Sequence, residues 1–150
     1  MAKENTTTKE TTIFDGILKN AYTHTEKNDD GTIKSATHIL SIFNDENLSQ
    51  DGADQATTWK FFDAFYEGKP AKYVPNWVKE KKDIVFKSAY KVYVKVEATG
   101  ERMTFDEFVD RGLIRGAKVR LKCNVKDAAC YPSALLVLED GEEYDAFADF

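Results

Sequence analysis

Asp83-Ile84-Val85-Phe86-Lys87-Ser88-Ala89-Tyr90-Lys91-Val92-Tyr93-Val94-Lys95-Val96 opens the stretch, Asp83 to Lys126, that decides how this chain folds. Residue types alternate with the period of two that sends successive side chains to opposite faces of a pleated strand. Ile84, Phe86, Tyr90, Val92, Val94 and Val96 fall on one face, and Lys87, Lys91, Tyr93 and Lys95 on the other. The pattern returns downstream, where Val119, Leu121, Cys123 and Val125 alternate with Lys118, Arg120, Lys122, Asn124 and Lys126. Between them Gly100 marks a turn and Thr104-Phe105-Asp106-Glu107 fits the Ser/Thr-x-x-Glu capping box of a short helix. Gly112 stops that helix, and Gly116 precedes the second strand. The cations of the second strand, gathered on one face, repel one another. Such a cost is understandable where a polyanion is the intended neighbour.

Working outward, Ile13 to Tyr22 reads as a first strand, with Gly16 at a bulge or close approach. Asn28-Asp29-Asp30-Gly31 is a tight-turn signal, and Thr32 to Phe43 returns as a second strand. Asn44 to Gly52 is polar and loop-like. Asp54 caps a helix running to about Glu67, ended by Gly68 and Pro70, with Ala56, Trp59, Phe62, Phe65 and Tyr66 on one core-facing stripe. Tyr73 to Lys82 reads as a linking loop carrying Pro75 and Trp77. A last strand follows from Tyr131 to Asp140. The predicted fold is mainly β: a five-stranded OB-fold barrel with an aromatic helix inserted after strand 2 and a short helix between strands 3 and 4. Residues 1–12 form a flexible start, 13–140 the domain and 141–150 an acidic tail.

The net charge of −5 conceals a segregation. Six acids and no base lie between Glu139 and Phe150, whereas 15 Lys and Arg stand against 7 Asp and Glu between Lys69 and Lys126. The chain is a basic module with an acidic tail. No apolar run approaches the roughly 20 residues of a membrane-spanning helix, and the polar Met1 to Thr12 lacks the apolar segment of a secretory signal. A soluble, cytoplasmic protein without a membrane partner is expected. Cys123 and Cys130 lack the close pairing of a zinc site and read as reduced thiols. No phosphate-binding loop, nucleophile elbow or His-Glu-x-x-His motif is present. His24 and His38, each flanked by Thr, read as strand-pair contacts. No catalytic residue, cofactor or metal is predicted.

Phe86-Lys87-Ser88-Ala89-Tyr90-Lys91-Val92-Tyr93-Val94, Gly116 to Lys122 and Tyr131-Pro132-Ser133-Ala134-Leu135-Leu136-Val137-Leu138-Glu139 resemble parts of bacteriophage single-stranded DNA-binding proteins. The ending Asp145-Ala146-Phe147-Ala148-Asp149-Phe150, acids with a terminal Phe, is similar too. The likeness runs from Asp83 to Phe150, and the acidic tail is short, without a long flexible linker. It implies an OB fold that coats single strands during replication and recombination. It also implies a tail, Asp145, Phe147, Asp149 and Phe150, that contacts replication partners such as a DNA polymerase or helicase.

Physical reading of the residues agrees, because single-strand binders pair a cationic track for phosphates with aromatic faces on which bases stack. Lys87, Lys91, Lys95, Lys118, Arg120 and Lys122 are the candidate phosphate set. Tyr93, Trp77 and Tyr131 are the candidate stackers, with Tyr22 a weaker one. Trp77 is open between stacking on a base and plugging the barrel end. Lys and Tyr without a base-edge code imply little sequence preference. Against this stand a merely solvated or edge-guarding Lys face and a protein-interaction module, a virion or inhibitor protein, whose basic face meets an acidic partner. A homodimer, and a choice of RNA over DNA, are left open.

Overall fold

The computed structural model describes residues 10–126 and 129–143, so the tail residues Asp145, Phe147, Asp149 and Phe150 lie outside it, as does the start up to residue 9. The chain is mainly β. Its strands are β1 (Glu10–Lys27), β2 (Ile33–Ile42), β3 (Ser49–Gln50), β4 (Ile84–Ser88), β5 (Tyr93–Val96), β6 (Arg102–Thr104), β7 (Lys118–Lys126) and β8 (Ala129–Glu139). Three short helices accompany them: α1 (Gln55–Tyr66), α2 (Asn76–Lys79) and α3 (Phe105–Asp110). One sheet runs in the order β4-β2-β1-β7-β8-β5-β6, with β3 on β1. Neighbours are antiparallel except β5 and β8, which are parallel.

Among the described residues eight strands replace the five expected. β3 and β6 are short additions, and the expected third strand breaks in two. The break is made by Ser88, whose buried hydroxyl lies 3.0 Å from the Tyr90 N–H and donates to the Tyr90 carbonyl at 3.2 Å. A side chain that bonds its own backbone two residues on offers the chain a turn in place of a ladder. Tyr90, expected on the inward face, is therefore 73% exposed. The first strand begins at Glu10 rather than Ile13, because Thr12 is buried where Gln50 donates to its hydroxyl and the hydroxyl donates to Asp51.

The sheet curls because β1 serves two partners. Its first half pairs with β7 and its second half with β2, and a register shift between Leu18 and Asn20 bends it near the exchange. Gly16 sits at that bend, where a Cβ would lie 2.5 Å from Cγ2 of Ile42. Only a residue without a side chain lets the two strands approach so closely. The sheet order ends in β4 on one side and β6 on the other, and β5, beside β6, follows β4 directly on the chain. β4 also runs beside β8, with Cα atoms within 8 Å, but no ladder joins them.

Phe14, Phe62 and Phe86 meet inside the curl, the first two stacked with centroids 5.5 Å apart. Burying each ring contributes about 1.5–3 kcal/mol. α1 is started by Asp54, whose carboxylate accepts from the Thr57 N–H, and it delivers Trp59 and Phe62 to the core. Ala56 of the expected stripe is exposed instead; Thr58 is buried, and Phe65 and Tyr66 are half-buried. α3 carries the expected capping box between Thr104 and Glu107 and buries Phe105 and Phe108. No helix among the described residues is long and apolar enough to cross a membrane.

Candidate nucleic-acid interface

Alternation in β7 and β5 leaves Lys118, Arg120, Lys122, Tyr93 and Lys95 on the outer surface. The ladders then set them in rows. Thr104, Tyr93, Ala134, Lys122 and Ile13 lie opposite one another across β6-β5-β8-β7-β1, and Arg102, Lys95, Leu136, Arg120 and Asp15 form the next row. At roughly 4.8 Å per strand the face is about 19 Å across. The small Ala134 at the centre leaves a depression of about 370 Å³, flanked by Tyr93 and Lys122 and floored by Leu136, Met103 and Ile13. Tyr93 is 62% exposed, and the Lys91 ammonium lies 5.1 Å above its ring.

Two of the expected phosphate cations are already matched. Arg120 donates to both oxygens of Asp15, at 2.8 and 3.1 Å, and that pairing raises its pKa further. Lys118 lies 3.3 Å from Glu139 and outside the groove. The cations of β7 thus do not simply face an absent polyanion. Lys87, Lys91, Lys95 and Lys122 have no ion pair among the described residues, and neither does Arg102.

Lys87, Trp77 and Tyr131 gather elsewhere, around a cleft of about 390 Å³ where β4 and β8 run unladdered. Trp77 packs against Trp59, Phe62 and Tyr66 while still lining that cleft, so it belongs to the core edge and to a cavity at once. Tyr131 meets Tyr90 edge-on at 6.3 Å. Tyr22 is exposed on the β1–β2 hairpin and lines neither cavity.

Arg102, Tyr66 and Tyr90 escaped the sequence reading. Arg102 gives no periodic signal because β6 is three residues long, and Tyr66 was absorbed into the core stripe of α1. Ser88 was the available sign for Tyr90. Of the remaining expectations, the His38 strand-pair contact is present: Thr23, opposite it in register, brings its hydroxyl to 2.9 Å from Nδ1. Cys123 and Cys130 are free thiols, and burial, then the neighbouring Cys130, pushes the Cys123 thiol well up. Among the described residues no three metal-ligating side chains cluster.

No protein-family model matches this chain, and no curated protein or solved structure is found to match it. The likeness to phage proteins rests on the residues quoted for it.

Proposed function

We propose that this chain is an OB-fold protein that binds single-stranded DNA with little sequence preference, as phage replication and recombination proteins do. The order β1-β2-β4, with β5 parallel to β8 and β7 closing back on β1, supports the OB reading, as does α3 between β6 and β7. The observation that carries the function is the groove itself. An exposed tyrosine, three cations without an ion pair among the described residues (Lys95, Lys122 and Arg102) and an apolar floor converge on it, which is what stacking and phosphate neutralisation require. Asp145, Phe147, Asp149 and Phe150 are proposed to contact a replication partner or compete for the groove.

The test is a gel shift of the full chain with single-stranded DNA, duplex DNA and RNA of equal length. Retention of the single strand, lost with salt and in Lys95→Glu/Lys122→Glu, is expected. The apolar floor also fits an acidic protein segment. Absence of nucleic-acid binding at low salt would overturn the proposal and favour that interaction module.

A further inference from the structure

The cleft between β4 and β8 has the makings of a second, more selective site. Its walls are largely aromatic: Phe62 and Trp77 stand perpendicular with centroids 5.1 Å apart, and Tyr66, Phe86 and Tyr131 line it with them. Lys87 lines it too, and among the described residues no carboxylate does. No hydrogen bond joins the Tyr66 hydroxyl, the Tyr131 hydroxyl or the Trp77 indole N–H to another described residue. Burial, reinforced by Cys130, raises the pKa of the Tyr66 phenol and keeps it a donor. A few polar tips converging in an apolar hollow are the usual make-up of a small-ligand site, and its volume is at the low end of that class.

The occupant follows from shape and charge. A peptide strand laid between β4 and β8 needs them about 9.6 Å apart, twice the spacing of paired strands. Their Cα atoms approach within 8 Å, too close for a strand between them, whereas a cleft of about 390 Å³ has room for a flat ring entering from outside. A chain of side-chain contacts links the cleft to the groove: Tyr131 of the cleft meets Tyr90, and Lys91, next to Tyr90 in sequence, lies over Tyr93 of the groove. We propose that the cleft receives one unstacked base of a single strand lying along the groove, and that it favours bases with a carbonyl where cytosine and adenine carry an amino group. Lys87 and Trp77 only donate hydrogen bonds, so they match the O4 carbonyl of thymine and oppose the amino group of cytosine. This inference rests on the single-strand reading proposed above.

The test compares oligo-dT with oligo-dC of equal length, both flexible pyrimidine strands, on the full-length protein. Oligo-dT is expected to bind about three- to tenfold tighter, the equivalent of one net hydrogen bond. Tyr66→Phe and Lys87→Met, which remove the polar tips and nearly keep side-chain length, should bring the ratio toward one. Lys122→Glu should weaken both oligonucleotides alike and leave the ratio unchanged. In parallel, a strand carrying 5-iodouracil is irradiated, with cross-links expected at Tyr131, Trp77 or Tyr66 as well as Tyr93. Cross-links confined to Tyr93, or a ratio unmoved by both tip variants, would overturn the base site while sparing the groove. Failure to bind either oligonucleotide would refute the broader reading instead.

Discussion

Raising the salt from about 50 to about 200 mM should weaken single-stranded DNA binding by about a hundredfold. Five cations along the proposed path have no carboxylate partner among the described residues: Lys87, Lys91, Lys95, Arg102 and Lys122. Each phosphate they neutralise contributes about −0.7 to the slope of log K against log salt, giving about −3.5 and ~130-fold over a fourfold rise. Adding Arg120 and Lys118 would make the slope about −5 and the loss ~900-fold. We expect the smaller figure because Asp15 lies opposite Arg120 in the ladder and meets both arms of its fork. Asp15→Asn releases Arg120 and should steepen the slope by about 0.7. Fluorescence anisotropy of a labelled oligonucleotide across a salt series measures both quantities. A slope shallower than about −1 would refute a cationic track, and one near −5 in the unaltered protein would refute this division of the cations.

Asn44→Ala should lower stability by about 2–4 kcal/mol, read by denaturant unfolding, because the amide accepts from Gln55 and Trp59 and donates to the Lys81 carbonyl. Binding of single-stranded DNA below the melting temperature should survive that change. Burial alone would raise the pKa of Asp83, but the Asn44 N–H and the Lys19 ammonium outweigh it and hold the carboxyl below its ordinary value. Its contribution is present above the unfolded pKa of about 3.9 and is lost as pH falls through the lower folded value; Asp83→Asn should reduce stability at neutral pH and flatten the acid limb of the unfolding profile. Removing Tyr144 to Phe150 should tighten DNA binding most at low salt, where a tethered polyanion competes best. That cut spares the hydrogen bonds that pin Gly141 to Leu113 and Glu142 to Arg115, and equal affinity at every salt concentration would exclude Tyr144 to Phe150 as a competitor.

The β character, the Asn28–Gly31 turn and the capped helices were legible because each depends on neighbours within a few residues; Gly16 announced a close approach but not that its partner would be Ile42 of β2. The register was not legible. Nothing local to Arg120 announces Asp15, 105 positions away, and that pairing removes one cation from the expected phosphate set. The same holds for Ala134, an unremarkable residue in an apolar run until the ladders put it between Tyr93 and Lys122. Ala56 and Tyr66 show the other limit, since a helical stripe marks which side chains face inward on average, not which lie at the margin of a cavity.

One residue ties the two cavities together. Had Asp83 to Val96 remained a single straight strand, Lys87, Lys91 and Lys95 would have formed one file, and β4 would have been carried past β8. The turn built on the Ser88 hydroxyl instead separates β4, paired with β2, from β5, paired with β8. That separation leaves β4 and β8 adjacent but unladdered, which is the cleft, and sets Tyr93 and Lys95 beside Ala134 and Leu136, which is the groove. It also turns Tyr90 outward against Tyr131, between the two. The proposed strand path therefore depends on a local hydrogen-bonding choice made by a serine inside a run that otherwise alternates like a strand.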